Sequence, residues 1–421
     1  MAKSNTIDDQ TFLVGGAVRD KLLGIEVYDK DWVVVGAEAK DLSNLGYEQV
    51  GKDFPVFINK KTGEEYALAR TERKTAKGYQ GFEFQTSKDI SLEQDLARRD
   101  LTINAMAQSK LDSESTDNII DPYNGQQDLK DGILRHVSDA FIEDPVRILR
   151  VARFAAKFNF TIAPETMSLM REMVNNGEVD ALVPERVWAE MSKALSTDAP
   201  HIFIKVLRDS GALAKILPEV DNLFGIPQTE KYHPEIDTGI HTLMVLEHAA
   251  AISKDPLVRF ASLVHDLGKA KTPSKELPSH KGHEKSGLPL IKQLCERLRI
   301  PKKYLSLALA VAEYHLHMHK MFELRPETVL KMLEKTKSLN DDIRARQIAD
   351  CCLADARGRK GFEQREYPQV QLFLDYQQAA KNVNASEIAK NMHDGLKIQT
   401  AINRERANAC LLYTSPSPRD S

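Results

Sequence analysis

Val14-Gly15-Gly16-Ala17-Val18-Arg19-Asp20, followed after a short polar loop by Asp29-Lys30-Asp31-Trp32-Val33-Val34-Val35, decides how the N-terminal part of the chain is read. The β-rich run Thr11–Val14 ends in two glycines, and helical spacing follows over Ala17–Leu23. A strand–Gly-Gly–helix turn brings backbone close to an anion and offers the unbonded N–H groups of a helix start. Gly16 and Arg19 are therefore triphosphate contacts in this reading, the arginine because its guanidinium can fork onto phosphate oxygens. Residues i and i+2 share one face of a strand, so Asp29 and Asp31 present paired carboxylates at the start of the strand Trp32–Val35. Such a pair suits Mg²⁺, which there would polarise an attacking hydroxyl and stabilise a leaving pyrophosphate.

Outward from this stretch, Glu65–Ala69 and Phe82–Thr86 read as further strands, and Lys40–Leu45 and Leu92–Arg98 as helices. The segment from Thr11 to about Val137 is thus a mixed α/β domain. Between Lys60 and Gly81, a polar stretch carrying Arg70, Arg73, Lys74 and Lys77, closed by Gly78 and Gly81, reads as a mobile basic loop beside the site. Beyond Asp144 the strands vanish and apolar residues recur at helical spacing (Val146, Leu149, Ala152, then Val187, Met191, Leu195), so everything downstream reads all-α. After about Asn408 a Ser/Pro-rich end, with Leu411 to Asp420 like translated adapter sequence, interrupts the helical pattern and is set aside as a non-native tail.

The 421 residues exceed one ordinary core, and a net charge of −3 gives no global sign of a nucleic-acid partner, so any such surface is local. No apolar run is long enough to span a bilayer, no signal peptide opens the chain, and the four cysteines fit neither a disulfide framework nor a metal-binding spacing. The expectation is a cytoplasmic protein with no membrane partner.

Two more blocks complete a pattern: Arg98-Arg99-Asp100-Leu101-Thr102-Ile103-Asn104-Ala105 and Glu143-Asp144-Pro145-Val146-Arg147-Ile148-Leu149-Arg150. With Gly15-Gly16-x-Val18-Arg19-Asp20 and Asp29-x-Asp31, they resemble class II tRNA nucleotidyltransferases and bacterial poly(A) polymerases. To about residue 408 the chain is similar to bacterial multifunctional CCA-adding enzymes, which pair such a head with an HD domain. The resemblance implies that Arg99 binds the triphosphate or ribose. It also implies that Asp144 and Arg147, one helical turn apart, accept CTP and ATP by hydrogen bonds to the base edge, with Arg150 adding a nucleotide contact.

In the helical half, His265-Asp266 follows the apolar stretch Leu257–Val264, with His241 upstream and His283, His315 and Asp355 downstream. This resembles the HD phosphohydrolases, whose imidazole and carboxylate ligands come from separate helices and hold Ni²⁺ or another divalent metal. A held ion would activate water for attack on phosphate, with Lys269 stabilising charge. The resemblance implies 2′,3′-cyclic phosphodiesterase, 2′-nucleotidase and phosphatase activity. His280, His317 and His319 read as ordinary surface or core histidines.

The fold expected is α+β: a polymerase β-like nucleotidyltransferase head with a mixed sheet (residues 1–140), a helical neck for base and tRNA binding (141–225), a helical HD domain (236–340), a C-terminal helical region (341–408) and the tail (409–421). The catalytic residues expected are Asp29, Asp31, His265 and Asp266. The partners expected are tRNA, CTP and ATP, in a monomer or homodimer. Two alternatives stand beside this reading: a poly(A) polymerase, and an HD phosphohydrolase whose head only binds RNA.

Overall fold

The structure, a computed structural model, describes residues 7–50, 56–74, 82–112, 117–390 and 393–411. Two compact units divide the chain: residues 1–183 with 209–212, and residues 184–208 with 213–421.

The first unit is built on strands β1 (Thr11–Val14), β2 (Asp31–Val34), β3 (Glu48–Val50), β4 (Val56–Ile58), β5 (Glu65–Leu68), β6 (Arg70–Lys74), β7 (Phe82–Thr86), β8 (Ala107–Ser109) and β9 (Ile119–Ile120). Its helices are α1 (Gly16–Leu22), α2 (Ala39–Asn44), α3 (Leu92–Ala97), α4 (Gly125–Asp131), α5 (Val146–Phe158) and α6 (Pro164–Asn175). Seven strands form one sheet in the order β3-β4-β5-β2-β1-β8-β9, antiparallel except where β2 runs parallel to β5. The sheet is therefore mixed, as the sequence implies. Val14, Val33, Ala105 and Ala107 pack with Ala69, Ile90 and Leu96 into one buried cluster, and the antiparallel pairing of the central strands β1 and β2 puts the β1–α1 turn beside the start of β2.

Two sequence expectations change here. Arg70, Arg73 and Lys74 lie on β6, which pairs antiparallel with β7 from Arg70↔Thr86 to Lys74↔Phe82, so this part of the expected loop is a ribbon. Lys77, Gly78 and Gly81 lie outside the described residues. Strands also do not vanish after Asp144: β11 (Thr161–Ile162) pairs in parallel with β10 (Ile133–Leu134), too short a run for alternation to register.

Helix α5 is the clearest amphipathic element of this unit. Ile148, Leu149, Val151, Ala152, Ala155 and Ala156 are buried, while Arg153 and Lys157 stand along its other side. Asp144 caps its start, accepting from the Val146 N–H at 3.0 Å, and Asn159 ends it in a left-handed conformation.

The second unit is helical: α7 (Pro184–Leu195), α8 (Pro200–Asp209), α9 (Ala212–Ile216), α10 (Pro218–Asp221), α11 (Thr238–Ile252), α12 (Pro256–Val264), α13 (His283–Arg297), α14 (Lys302–His319), α15 (Pro326–Lys335), α16 (Asp342–Arg357), α17 (Gln369–Lys381), α18 (Ala385–Ala389) and α19 (Gly395–Leu411). Its centre is α11, α12, α14 and α16, with Val245 and Ala249 of α11 packed on Ala354 of α16. Arg259, wholly buried, donates to the carbonyls of Leu195, Thr197, Ser253 and Ala250 and so ties the ends of α7 and α11 to α12. Helix α19 runs past the expected break near Asn408: Cys410 is buried, with its thiol 3.6 Å from the Tyr376 carbonyl. All four cysteines are unpaired and buried, and no described helix is long and apolar enough to cross a membrane.

Candidate active sites

In the head, the turn after β1 requires glycine. Gly15 has φ +69° and ψ −127°, a region essentially closed to other residues, and a Cβ there would lie 2.7 Å from Nη1 of Arg99. The turn thus presses its backbone against Arg99. That guanidinium reaches Asp95 Oδ2 at 3.4 Å, while its buried Nε has no hydrogen-bond partner. Asp29 and Asp31 are both open to solvent at the start of β2. Crowding around the Asp31 carboxyl nonetheless raises its pKa by desolvation, with Arg99 opposing the rise and Asp29 adding to it. The structure therefore brings Asp29, Asp31 and Arg99 into one electrostatic neighbourhood, beside the Gly15–Gly16 turn. Asp29 and Asp31 offer carboxylate oxygens here, a donor type that fits Mg²⁺ arriving with a triphosphate.

Arg19 is placed differently from the sequence expectation. It is buried, with Nε and Nη2 donating to Asp20 Oδ1 at 2.8 and 2.6 Å, Nη1 donating to Asn104, and its guanidinium lying 5.0 and 5.1 Å from the rings of Phe154 and Phe158. The network continues through Asn104, which donates to Asp100 at 3.0 Å, and Arg150, whose Nε donates to Asp100 at 2.6 Å. Burial opposes the Asp100 charge, but Arg150 and the hydrogen bonds overcome it and bring its pKa down to about 2.

Asp144 and Arg147 do not form an open pair either. Asp144 caps α5, and Arg147 donates from Nη1 to the Ala140 carbonyl and from Nη2 to the Arg98 carbonyl, each at 2.7 Å. The second bond fixes the backbone next to Arg99. In this state Arg147 braces the segment that carries Arg99.

The helical unit gathers all six expected ligands. His241 comes from α11, His265 and Asp266 from the end of α12, His283 from the start of α13, His315 from α14 and Asp355 from α16. All are buried. Their ligand atoms form two close groups, His241–His265–Asp355 and Asp266–His283–His315, each within 4.8 Å. Every imidazole turns Nδ1 to a backbone carbonyl: His241 to Gly358 at 2.9 Å, His265 to Ser262 at 2.8 Å, His283 to His280 at 2.6 Å and His315 to Ala312 at 2.9 Å. Gly358 is needed for the first of these, since a Cβ there would lie 2.6 Å from the Val245 Cα. Those bonds assign the proton to Nδ1 and leave each Nε2 lone pair facing the centre. Buried imidazole lone pairs and carboxylate oxygens that converge repel one another unless a cation lies among them. The donors fit a divalent ion that accepts both nitrogen and oxygen. Burial pushes His315 down to about 3. Lys269 bridges Asp266 Oδ2, at 2.6 Å, and Gln228 Oε1, at 2.7 Å.

Three families match in succession: the Poly A polymerase head domain over residues 11–135, the probable RNA and SrmB-binding site of polymerase A over 159–224, and the HD domain over 238–356. The Multifunctional CCA protein of Vibrio campbellii is 54% identical over 403 residues, covering 95% of this chain and 98% of that protein. The chain belongs to the multifunctional CCA protein family. A second member, from Alkalilimnicola ehrlichii, is 54% identical over 97% of this chain and 99% of its own length. Among solved structures, a CCA-adding enzyme in complex with ATP superposes with a TM-score of 0.65 at 19% identity, over 95% of this chain and 85% of that one. The Thermotoga maritima CCA-adding enzyme complexed with tRNA superposes with a TM-score of 0.63 at 19% identity, over 96% of this chain and 91% of that one. At that identity the likeness is one of fold.

Several residues of this multifunctional CCA protein family member escaped the sequence reading. His319, taken there as ordinary, donates from Nε2 to Asp355 Oδ2 at 2.6 Å and faces the Tyr367 hydroxyl at 2.8 Å. Its position one helical turn after His315 was the available signal. Glu235 reaches both His233 and His241 Nδ1 at 3.1 Å, and Arg359 reaches Asp355 at 3.3 Å; nothing local in the sequence marks either. Glu65 is the register partner of Asp31 across the parallel β2–β5 pair, which places a third carboxylate next to the Asp29–Asp31 strand start.

Proposed function

We propose that this protein adds or repairs the 3′-terminal CCA of tRNA, using CTP and ATP without a nucleic-acid template, and that its helical half is a metal-dependent phosphohydrolase acting on 2′,3′-cyclic phosphates, 2′-nucleotides and phosphate monoesters. The observation that carries the reading is end-to-end similarity to multifunctional CCA proteins in a chain that retains Asp29 and Asp31 beside Arg99, together with all six buried ligands of the second centre.

In the head, Asp29 and Asp31 would hold Mg²⁺, which supplies activation of the tRNA 3′ hydroxyl and neutralisation of the departing pyrophosphate. Gly16 and Arg99 face the triphosphate. Arg19 acts through Asp20 and Asn104 as a positioning residue, and Arg150, anchored on Asp100, reaches toward the nucleotide from α5. Asp144 and Arg147 set base choice, because buried donors and acceptors left unmet by UTP or GTP penalise the wrong base. The division into head, neck, HD and C-terminal segments at 140, 225, 236 and 340 belongs to this proposal, as do Ni²⁺ at the helical centre, a cytoplasmic location and a monomeric or homodimeric state. In the helical half His265 and Asp266 would hold a divalent ion, which would supply activation of water for attack on phosphate, and Lys269 places positive charge where a phosphate would bind.

The test is to incubate the purified protein with tRNA lacking its 3′ CCA and with each labelled nucleoside triphosphate, singly and together. Incorporation of two C residues and then one A, followed by arrest, supports the reading. Open-ended addition of A identifies a poly(A) polymerase instead, and no incorporation leaves only the phosphohydrolase.

A further inference from the structure

The loop that leads into α11 holds a buried amide against Lys269. Gln228 is 3% exposed, and its backbone N–H donates to the Ile236 carbonyl at 2.6 Å. Ile236 is β-branched yet held at φ +60°, and the residue after it, Asp237, bridges to Pro227. From another side His280 donates from Nε2 to the Pro227 carbonyl at 3.0 Å, while its Nδ1 accepts from the Thr272 hydroxyl at 2.7 Å. A strained turn and an imidazole with both nitrogens engaged thus fix the Gln228 backbone. The amide has one workable orientation. Lys269 Nζ lies 2.7 Å from Gln228 Oε1 and 2.6 Å from Asp266 Oδ2, and an ammonium has no lone pair, so the amide oxygen must face it. The Nε2 amino group therefore points away from Lys269 Nζ, and it is buried without a hydrogen-bond partner. A buried donor in that state is costly. Lys269, 6% exposed, has the two acceptors just named for its three N–H groups. At the Asp355 side of the same centre, Arg359 rests Nη2 on Asp355 at 3.3 Å while its buried Nε has no partner. Amide, ammonium and guanidinium N–H groups can only donate, and two of the three carriers are cationic, so the acceptor that suits them is an anionic oxygen.

We propose that Gln228 is a substrate-binding residue of the phosphohydrolase, its Nε2 donating to a non-bridging phosphate oxygen whose charge Lys269 offsets. The proposal rests on the phosphohydrolase reading above and names a contact within it. The ligand class is a phosphate monoester or cyclic diester, which presents the anionic oxygens that a donor-only set requires. Gln228 has two tasks in this account. Its Oε1 steadies the ammonium, and its Nε2 meets the substrate, so the loss of either end is separable by substitution.

The experiment compares the full-length protein with Gln228→Glu, which keeps an oxygen for Lys269 and loses the donor, and Gln228→Met, which loses both without bringing a charge. Hydrolysis of a 2′,3′-cyclic nucleotide and its inhibition by inorganic phosphate are measured with Ni²⁺ present, and native circular dichroism checks folding. Both variants are expected to raise KM and the phosphate inhibition constant about ten- to a hundredfold, with kcat changed less than KM. A rise in Gln228→Met alone would show that Gln228 only holds Lys269, and a rise in Gln228→Glu alone would show only charge repulsion; either result overturns the contact, as does no rise in both. On the unaltered protein, labelled with ¹⁵N-glutamine and loaded with diamagnetic Zn²⁺, inorganic phosphate is expected to move a side-chain amide resonance pair. No such movement would overturn the contact whatever the fate of the variants. Absence of hydrolysis by the unaltered protein would instead overturn the phosphohydrolase reading, and the contact with it.

Discussion

The two carboxylate-bearing centres differ most in their contact with water. Asp29 and Asp31 stand open at a strand start, whereas Asp266 and Asp355 are 2% and 3% exposed and ringed by imidazoles. An open carboxylate pair holds a cation weakly by itself and is completed by oxygens of the substrate, so it suits a macromolecular substrate and a nucleotide that brings its own Mg²⁺. A buried set with fixed tautomers is preorganised for a resident ion, because the cost of dehydrating the ligands was met on folding. Aspartate carboxylates thus stand in a setting suited to an exchangeable ion in one unit and to a retained ion in the other.

That contrast can be broken by metal removal, which carries the largest expected effect. A brief exposure to a mild chelator should abolish nucleotide addition at once, while phosphohydrolase activity decays over a longer incubation. Mg²⁺ alone should then restore the first fully and the second in part. Equal rates of loss in a paired assay would remove the distinction.

Gly15→Ala sharpens the head side of the comparison. The new Cβ meets strained backbone geometry, at about 1–3 kcal/mol, and displaces Arg99, so nucleotide addition should fall roughly ten- to a hundredfold with phosphohydrolase rates unchanged. A variant with normal kcat/KM for CTP would show that the contact with Arg99 does not matter. Arg147→Ala leaves the Ala140 and Arg98 carbonyls without their donor, which should cost about 1–3 kcal/mol in denaturant unfolding and relax selection against UTP and GTP. A uniform fall for all four nucleotides, with unchanged stability, would contradict both roles.

The smallest effect concerns Asp100. Its folded pKa of about 2 lies below its ordinary 3.8, so it contributes stability that is present above about pH 4 and lost as pH falls through about 2. Asp100→Asn should therefore destabilise the protein by about 2 kcal/mol at pH 7 and by little at pH 2, as urea titrations at the two pH values would show.

What could be read from the sequence follows the range of the interaction. The β1–Gly15–α1 turn and the strand start that carries Asp29 and Asp31 are local patterns, and the structure has them within a residue or so of their expected bounds; the helical spacing from Val146 onward is local too and becomes α5. Strands β3, β4, β8 and β9 span only two or three residues and carry no readable alternation, so their place in the sheet comes from pairing alone. Side-chain roles that depend on distant backbone were illegible. Arg147 finds the carbonyl of Arg98, and Arg19 finds Asn104 across 85 residues, neither of which a motif can display. The helical centre was legible in its six ligands because each sits in a recognisable pattern, but its partition into two groups depends on which way Asp266 turns each oxygen.

The most direct measurement assays two single variants, Asp31→Ala and Asp266→Ala, for both CTP and ATP addition to tRNA lacking CCA and for hydrolysis of a 2′,3′-cyclic nucleotide. The expected result is a crossed loss: Asp31→Ala without nucleotide addition and with full hydrolysis, Asp266→Ala with the reverse, each with native circular dichroism. Loss of both activities in either natively folded variant would contradict two independent centres and require one shared catalytic site.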